Sequence, residues 1–402
     1  MENEVAERVR RFYEQHPYPP PIGDLASYAR AWQDPARRRA DHHLHWPARP
    51  YRDDPAILIA GCGTSQAAKH ALRWPSARVT AIDFSATSVR ATLALKEKHG
   101  LANLDVHQLA IEAVGQLGRS FDQIVCTGVL HHLADPAAGL AALRAVLASG
   151  GAMHLMVYAP YGRTGVYLLQ DFFRRISVQA GTDFGELLAT LRALPPGHPL
   201  ATLLREAPDF RDEAALADAL LHPQDRAYTV DQLFDLIEGC DLTFGRWVRQ
   251  APYHPTCGAL ARLPHAERLA RLPPRDQYAA VELFRGTMVR HSAIVHRRDD
   301  GGRAVLDFAG DAWLAHVPLR LPDTIAVRER LPPGAAAVLI NRGHTYPDLV
   351  LPIDAQEQRL VDAIDGSRSV GDIARGAACP DRARALFERL YRCDQIVFDA
   401  SA

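Results

Sequence analysis

Short apolar runs alternate with amphipathic stretches between residues 56 and 158. Ile57, Leu58 and Ile59 sit in a run too apolar for a half-exposed strand, so this segment reads as a strand covered on both faces. A helical stretch from about Gln66 to Trp74 follows, then an apolar run ending at Ile82-Asp83. Phe121 to Thr127 and Ala152 to Tyr158 read as two further strands, with a helix from Ala137 to Leu147 and a Gly150-Gly151 turn between them. Strands alternating with helices predict an α/β fold around a mostly parallel sheet.

Before this block, Val5, Val9, Phe12 and Tyr13 form a stripe at helical spacing. Prolines from Pro17 to Pro21 end that helix. After the block, helical stretches run from Val166 to Val178, Phe184 to Leu194 and Glu213 to Leu221, with a proline-rich break at 194–199. Thr229 reads as the N-cap of a helix reaching Glu238. Leu242 to Trp247 and Met288 to His296 supply two strands that would finish the sheet as an antiparallel edge. Beyond a polar hinge at 297–302, strand-like pieces occur at Ala304 to Phe308, Trp313 to Val317 and Ala337 to Ile340. Helices at Ala355 to Ile364 and Arg382 to Tyr391 and a strand at Gln395 to Phe398 close the chain. The expected organisation is a cap over 1–50, a main domain over 51–300 with an insertion at about 160–228, and a C-terminal module over 301–402.

A length of 402 residues exceeds one ordinary domain. A net charge of −1 gives no global field to recruit nucleic acid or an anionic membrane, so neither is expected as a partner. Six cysteines without CxxC spacing indicate neither a zinc site nor a disulfide framework, and no metal is expected. With no N-terminal apolar segment and no 18-residue apolar span, the expected setting is the cytoplasm.

The turn after the first strand carries the chemistry. Gly61 and Gly63 lack a Cβ, which lets the backbone take positive φ and a ligand approach it. The following helix aims its N-terminal amides at that ligand and favours a negative group there. Asp83 stands about twenty residues on, at the tip of the next strand, where a carboxylate accepts both hydroxyls of a ribose. The third glycine of a dinucleotide fingerprint is absent, since Ser65 and Gln66 stand where it would continue.

Four ordered segments carry a resemblance to the class I S-adenosylmethionine-dependent methyltransferases. They are Ile-Ala-Gly-Cys-Gly-Thr (59–64), Ala-Ile-Asp-Phe-Ser (81–85), Phe-Asp-Gln-Ile-Val-Cys-Thr-Gly-Val-Leu-His-His-Leu (121–133) and Leu-Ala-Ser-Gly-Gly-Ala-Met (147–153). The resemblance covers about Tyr51 to Tyr158 and implies a Rossmann-like sheet, S-adenosylmethionine as cofactor and S-adenosylhomocysteine as product. It implies that Gly61 and Gly63 line the methionine moiety, that Asp83 binds the ribose, that the loop Ala110-Ile111-Glu112 flanks the adenine and that Thr127 and Gly128 run beneath; Cys62, Gln66 and Phe84 are also read as cofactor-binding. Tyr13 and Tyr18 are read as a lid whose rings face the sulfonium. Ser65 in place of a glycine is a departure from the pattern.

For the acceptor side, His131 and His132 end a strand at the carboxyl edge of the sheet, where one of them would serve as a general base or both would pack the loop. His131 and Tyr161 are the catalytic candidates. His132, Tyr158, Arg163, Tyr167 and Tyr228 are the substrate-binding candidates, Arg163 suiting a carboxylate or phosphate. His222, Asp225 and Arg226 either line the same pocket or staple the insertion to the core. The C-terminal module looks like a small winged helix, and Asp381 to Leu390 mixes charge signs, which points to protein contact, peptide capture or dimerisation rather than base reading. The expected function is methyl transfer to a small molecule or peptide. The alternatives are a protein-lysine or peptide methyltransferase that grips its substrate with the C-terminal module, and a catalytically silent cofactor-binding regulator.

Overall fold

The computed structural model describes residues 2–178, 184–206, 213–301, 306–375 and 380–401. The chain opens with helices α1 (Glu2–Gln15), α2 (Ala26–Ala31) and α3 (Pro35–His45), the last capped by Asp34, which accepts the Ala36 N–H ahead of Pro35. Alternation then sets in: β1 (Ala56–Ala60), α4 (Gln66–Arg73), β2 (Arg78–Asp83), α5 (Ala86–His99), β3 (Leu104–Gln108), β4 (Phe121–Thr127), α6 (Pro136–Val146) and β5 (Leu147–Tyr158). Four helices follow in the segment expected as an insertion, α7 (Thr164–Arg175), α8 (Phe184–Arg192), α9 (Pro199–Glu206) and α10 (Glu213–Leu221). Next come α11 (Val230–Gly239), β6 (Leu242–Trp247), α12 (Ala266–Ala270), α13 (Pro274–Arg285) and β7 (Arg290–Arg297). The remainder holds β8 (Val317–Arg320), β9 (Thr324–Val327), β10 (Ala337–Asn341), β11 (Val350–Ile353), α14 (Ala355–Asp362), α15 (Val370–Arg375), α16 (Pro380–Arg392) and β12 (Ile396–Asp399).

The main sheet is a seven-stranded mixed sheet in the order β3-β2-β1-β4-β5-β7-β6, with a parallel core and an antiparallel edge. Ile57, Leu58 and Ile59 are fully buried, as a central strand flanked by helices on both faces requires. Strand order reverses at β1 and β4, so the carboxyl ends of those two strands open the crevice where ligands bind in such sheets.

Contacts divide the chain into two compact units. The first is 1–29, 54–242 and 285–292; the second is 30–53, 243–284 and 293–402. These bounds are not the three consecutive segments set out above, because residues 30–53 and 243–284 group with the C-terminal hundred.

In the first unit, the insertion builds its own small core from Val166, Leu169, Phe173, Leu187, Leu200 and Leu216. In the second unit, β9, β10 and β11 form an antiparallel sheet and β8 pairs with β12. Phe387, Phe398 and Trp313 lie at its core, and Asp354 and Glu357 make a capping box at the start of α14. Arg246 and Asp394 pair at 3.4 Å there, both buried, while Asp394 also accepts the Ala251 N–H. Among the described residues no helix is long and apolar enough to cross a membrane.

Several expected boundaries move. The Gly150-Gly151 turn lies inside β5: the register passes from Phe121–Leu147 to Gln123–Ala152, and Gly150 at φ +68° absorbs the extra residues as a bulge. Pro199, read as a break, is the first residue of α9, where a missing N–H costs nothing. The expected strand at 313–317 begins only at Val317, since Ala312–Ala315 forms a 3-10 turn that buries Trp313. Of the expected strand at 304–308, residues 304 and 305 lie outside the described residues, and 306–308 carry no strand.

Candidate functional site

A cavity of about 540 Å³ opens at the carboxyl ends of β1 and β4, wholly within the first unit. Its floor comes from the turn after β1. Gly61 has φ +71° and a Cβ there would collide with the Val129 side chain, so no larger residue fits. Gly63 has φ +53°, and its open side faces Pro19 of the N-terminal segment. Thr64 Oγ1 donates to the Pro19 carbonyl at 2.7 Å, which ties that segment down on the turn. Gln66 Nε2 donates to Thr127 Oγ1 at 2.6 Å and links the start of α4 to the end of β4. Ser65, standing where a glycine was expected, is buried and lines the cavity with its Oγ lacking a hydrogen-bond partner.

Asp83 closes the same end. Its Oδ2 accepts the Gly63 N–H and its Oδ1 the Ser85 N–H, each at 2.9 Å. The carboxylate therefore braces the glycine turn, and the Phe84 N–H also faces it. Burial pushes its pKa up to about 6, although those backbone bonds pull the other way.

The opposite end is aromatic and charged. Tyr158 at the tip of β5 packs against His131 with the rings tilted by 37° and centroids 4.1 Å apart, and carries the Arg163 guanidinium 3.6 Å over its ring. Arg163 also approaches Asp225 at 3.4 Å and donates to the Tyr167 hydroxyl at 3.2 Å. Burial alone would weaken the charge on Arg163, and Tyr158, Asp225 and Tyr167 more than offset this, so it stays protonated. From α10, Asp218 accepts hydroxyl bonds from Tyr13 at 3.0 Å and Tyr158 at 3.3 Å. Burial, then the adjacent Asp218, raises both tyrosine pKa values well above the usual range, so both hydroxyls keep their protons and donate.

Fifteen of the residues singled out from the sequence line this cavity: Tyr13, Tyr18, Gly61, Cys62, Gly63, Gln66, Asp83, Phe84, Ile111, Glu112, Thr127 and Gly128, with His132, Tyr158 and Arg163. Four do not. His131 is fully buried behind Tyr158, neither ring nitrogen has a partner, and burial holds its pKa well below the usual histidine value. Tyr161 is 38% exposed on the outside. Tyr167 acts through Arg163, and the Tyr228 N–H donates to the Tyr158 carbonyl at 2.9 Å. Sequence reasoning missed Asp218, together with Lys69 and Arg290, which also line the wall. The available signal for Asp218 was a single charge within the apolar run Ala-Ala-Leu-Ala-Asp-Ala-Leu-Leu.

With this geometry in view, residues 58–153 match the family described as a methyltransferase domain. A protein of Synechococcus sp., named only "Uncharacterized protein syc1184_c", is 34% identical over 255 residues. The match covers 61% of this chain and 60% of that one. A ubiquinone biosynthesis O-methyltransferase of Parvibaculum lavamentivorans is 28% identical over 179 residues, 40% of this chain and 69% of its own length. Among solved structures, PKMT2 from Rickettsia typhi in complex with AdoHcy superposes with a TM-score of 0.63 at 14% identity, over 92% of this chain and 76% of that one. That last likeness is one of fold.

Proposed function

From the match of residues 58–153 to a methyltransferase domain, we propose that the chain binds S-adenosylmethionine in the cavity above β1 and β4 and catalyses transfer of its methyl group to a small-molecule or peptide acceptor. One observation carries this reading. A single cavity joins a bare glycine turn and a buried carboxylate at one end to a ring of polar aromatic groups at the other.

The residues present suit that ligand. Asp83 turns its carboxylate towards a pair of ribose hydroxyls, and the unpartnered Ser65 Oγ meets the amino-acid end beside Gln66. Phe84, Ile111 and Glu112 frame the base. Bound there, S-adenosylmethionine supplies a methyl group on a sulfonium, already activated. The protein's part is alignment and water exclusion, which for well-held reactants is worth up to about 7–11 kcal/mol. Tyr13 and Tyr18 cover the cavity from the N-terminal segment and keep water out.

His132 replaces His131 as the proton acceptor in this reading. Its Nδ1 lies 2.8 Å from the Gln224 carbonyl and so carries the hydrogen, leaving a lone pair on Nε2 at the cavity wall. His131 and Tyr228 instead hold Tyr158 in place, and Tyr167 holds Arg163.

A peptide acceptor is favoured by one surface feature. Leu168, Phe172 and Ile176 stand 43–53% exposed, one turn apart, along and just beyond α7 of the insertion. The winged-helix reading of residues 301–402 stays a proposal, as do a dimer, the cytoplasm as setting and the absence of nucleic acid and membrane partners. Truncation at residue 300 does not test the role of that region, because residues 30–53 and 243–284 share its unit.

Calorimetry on the ligand-stripped chain with S-adenosylmethionine and S-adenosylhomocysteine tests the cofactor assignment; absence of binding to both overturns it. Incubation with labelled donor and fractionated lysate then reports whether label enters protein or small molecules. Binding without any labelled product supports the silent regulator instead.

A further inference from the structure

Asp218 is buried to 3% exposure on a helix whose other residues in that stretch are apolar, and its carboxylate lines the cavity. A mere link between Tyr13 and Tyr158 needs an acceptor only, which a neutral amide supplies at a lower desolvation cost than a carboxylate. Burial raises the Asp218 pKa, so its ionised form needs a positive charge opposite it. Arg163, the nearby permanent cation, is already held by Asp225 and by the rings of Tyr158 and Tyr167. Around Tyr158 the described residues thus place two buried carboxylates against one guanidinium.

His132 and His222 bring ring nitrogens within 4.8 Å of the Asp218 carboxylate. Two histidines and a carboxylate are also a metal-ligand set, but the hydrogen bonds argue otherwise. The Gln224 N–H donates to His222 Nδ1 at 3.1 Å, so Nδ1 is bare and the buried, unpartnered Nε2 carries the hydrogen. A metal at Nε2 would require the ring to give up its one N–H proton, or to move it to Nδ1 and break the Gln224 bond. Among the groups facing Asp218 are Tyr13 from α1, Tyr158 from β5, His132 from the turn after β4, His222 beyond α10, and Arg163 and Asp225. They suit a ligand that is itself a cation and an acid.

We propose that the acceptor is a primary or secondary amine, bound as its ammonium ion against Asp218 within the rings of Tyr13, Tyr158 and His132. This rests on the donor site assigned above. The ammonium passes one proton to His132 Nε2. The freed nitrogen lone pair forms the N–C bond to the methyl carbon as the C–S bond breaks, and the sulfur keeps that electron pair as a neutral thioether. Asp218 faces positive charge throughout, first on the ammonium and then on the imidazolium and the methylated nitrogen.

Sinefungin, the donor analogue that carries an amine in place of the sulfonium methyl, probes this subsite without knowledge of the acceptor. By calorimetry on the full chain, wild type binds sinefungin at least tenfold more tightly than S-adenosylhomocysteine. Asp218→Asn weakens sinefungin at least tenfold and leaves S-adenosylhomocysteine within twofold, a ratio that a merely structural role for Asp218 does not move. Parity between the two ligands on wild type overturns the proposal even if the variant fails to fold. An equal loss of S-adenosylmethionine and sinefungin on Asp218→Asn also overturns it, because Asp218 then serves the sulfonium. Stoichiometric zinc binding that Asp218→Asn abolishes overturns it in favour of a metal site. Failure of wild type to bind S-adenosylhomocysteine at all is a different result and removes the donor site itself.

Discussion

Replacing Asp83 by asparagine separates what this residue does for the fold from what it does for the ligand. Burial pushes the Asp83 carboxyl up to about 6 from its ordinary 3.8. Keeping it ionised at pH 7 therefore costs the native state about 3 kcal/mol. The neutral amide of Asp83→Asn removes that cost. It also offers one oxygen where two now accept the Gly63 and Ser85 N–H groups, and leaving one of those donors unsatisfied costs about 1–3 kcal/mol. The two effects nearly cancel, so the thermal midpoint of the empty protein should shift by no more than a few degrees. The ligand sees only the loss. Charge-assisted bonds to two ribose hydroxyls are worth about 1.5–3 kcal/mol, so the S-adenosylhomocysteine Kd should rise about 10- to 100-fold.

The pH dependence has a definite sign. A raised acid favours the protonated empty protein below pH 6, whereas the ligand's hydroxyls require the carboxylate. Wild-type affinity should fall as pH drops through about 6, and the asparagine variant should show no such fall. Titration calorimetry at pH 5.5, 6.5 and 7.5 with both proteins decides the matter. A variant Kd within twofold of wild type at pH 7.5 refutes a role for Asp83 in the site.

Gly61→Ala should abolish measurable donor binding and destabilise the fold, since φ +71° and Val129 both exclude a Cβ; normal affinity by calorimetry would remove this turn from the site. Thr229→Ala breaks the capping box with Gln232 and should cost about 1 kcal/mol in urea unfolding, with donor affinity unchanged. Asp394→Asn leaves Arg246 buried without its counter-charge and should cost about 3–5 kcal/mol in the same assay; a loss under 1 kcal/mol would show that the pair is solvated.

The glycine-turn end of the cavity was legible because it is local. Gly61, Gly63 and Asp83 lie within one βαβ unit, where strand, turn and helix fix their mutual placement whatever the rest of the chain does. Thr229 was legible for the same reason, since a cap reaches only three residues. The aromatic end was not. Tyr13, Tyr158 and Asp218 are up to 205 residues apart and meet only because α1 and the insertion close over the same strand ends. Neighbours in sequence also parted there: His132 lines the cavity while His131 is buried behind Tyr158. The amino-acid sequence thus determined the sheet, its glycine turn and its acidic anchor, all of which depend on short-range backbone geometry. Only the tertiary structure decided which polar groups share the buried space opposite, because burial and pairing between distant segments leave no periodic trace in the chain.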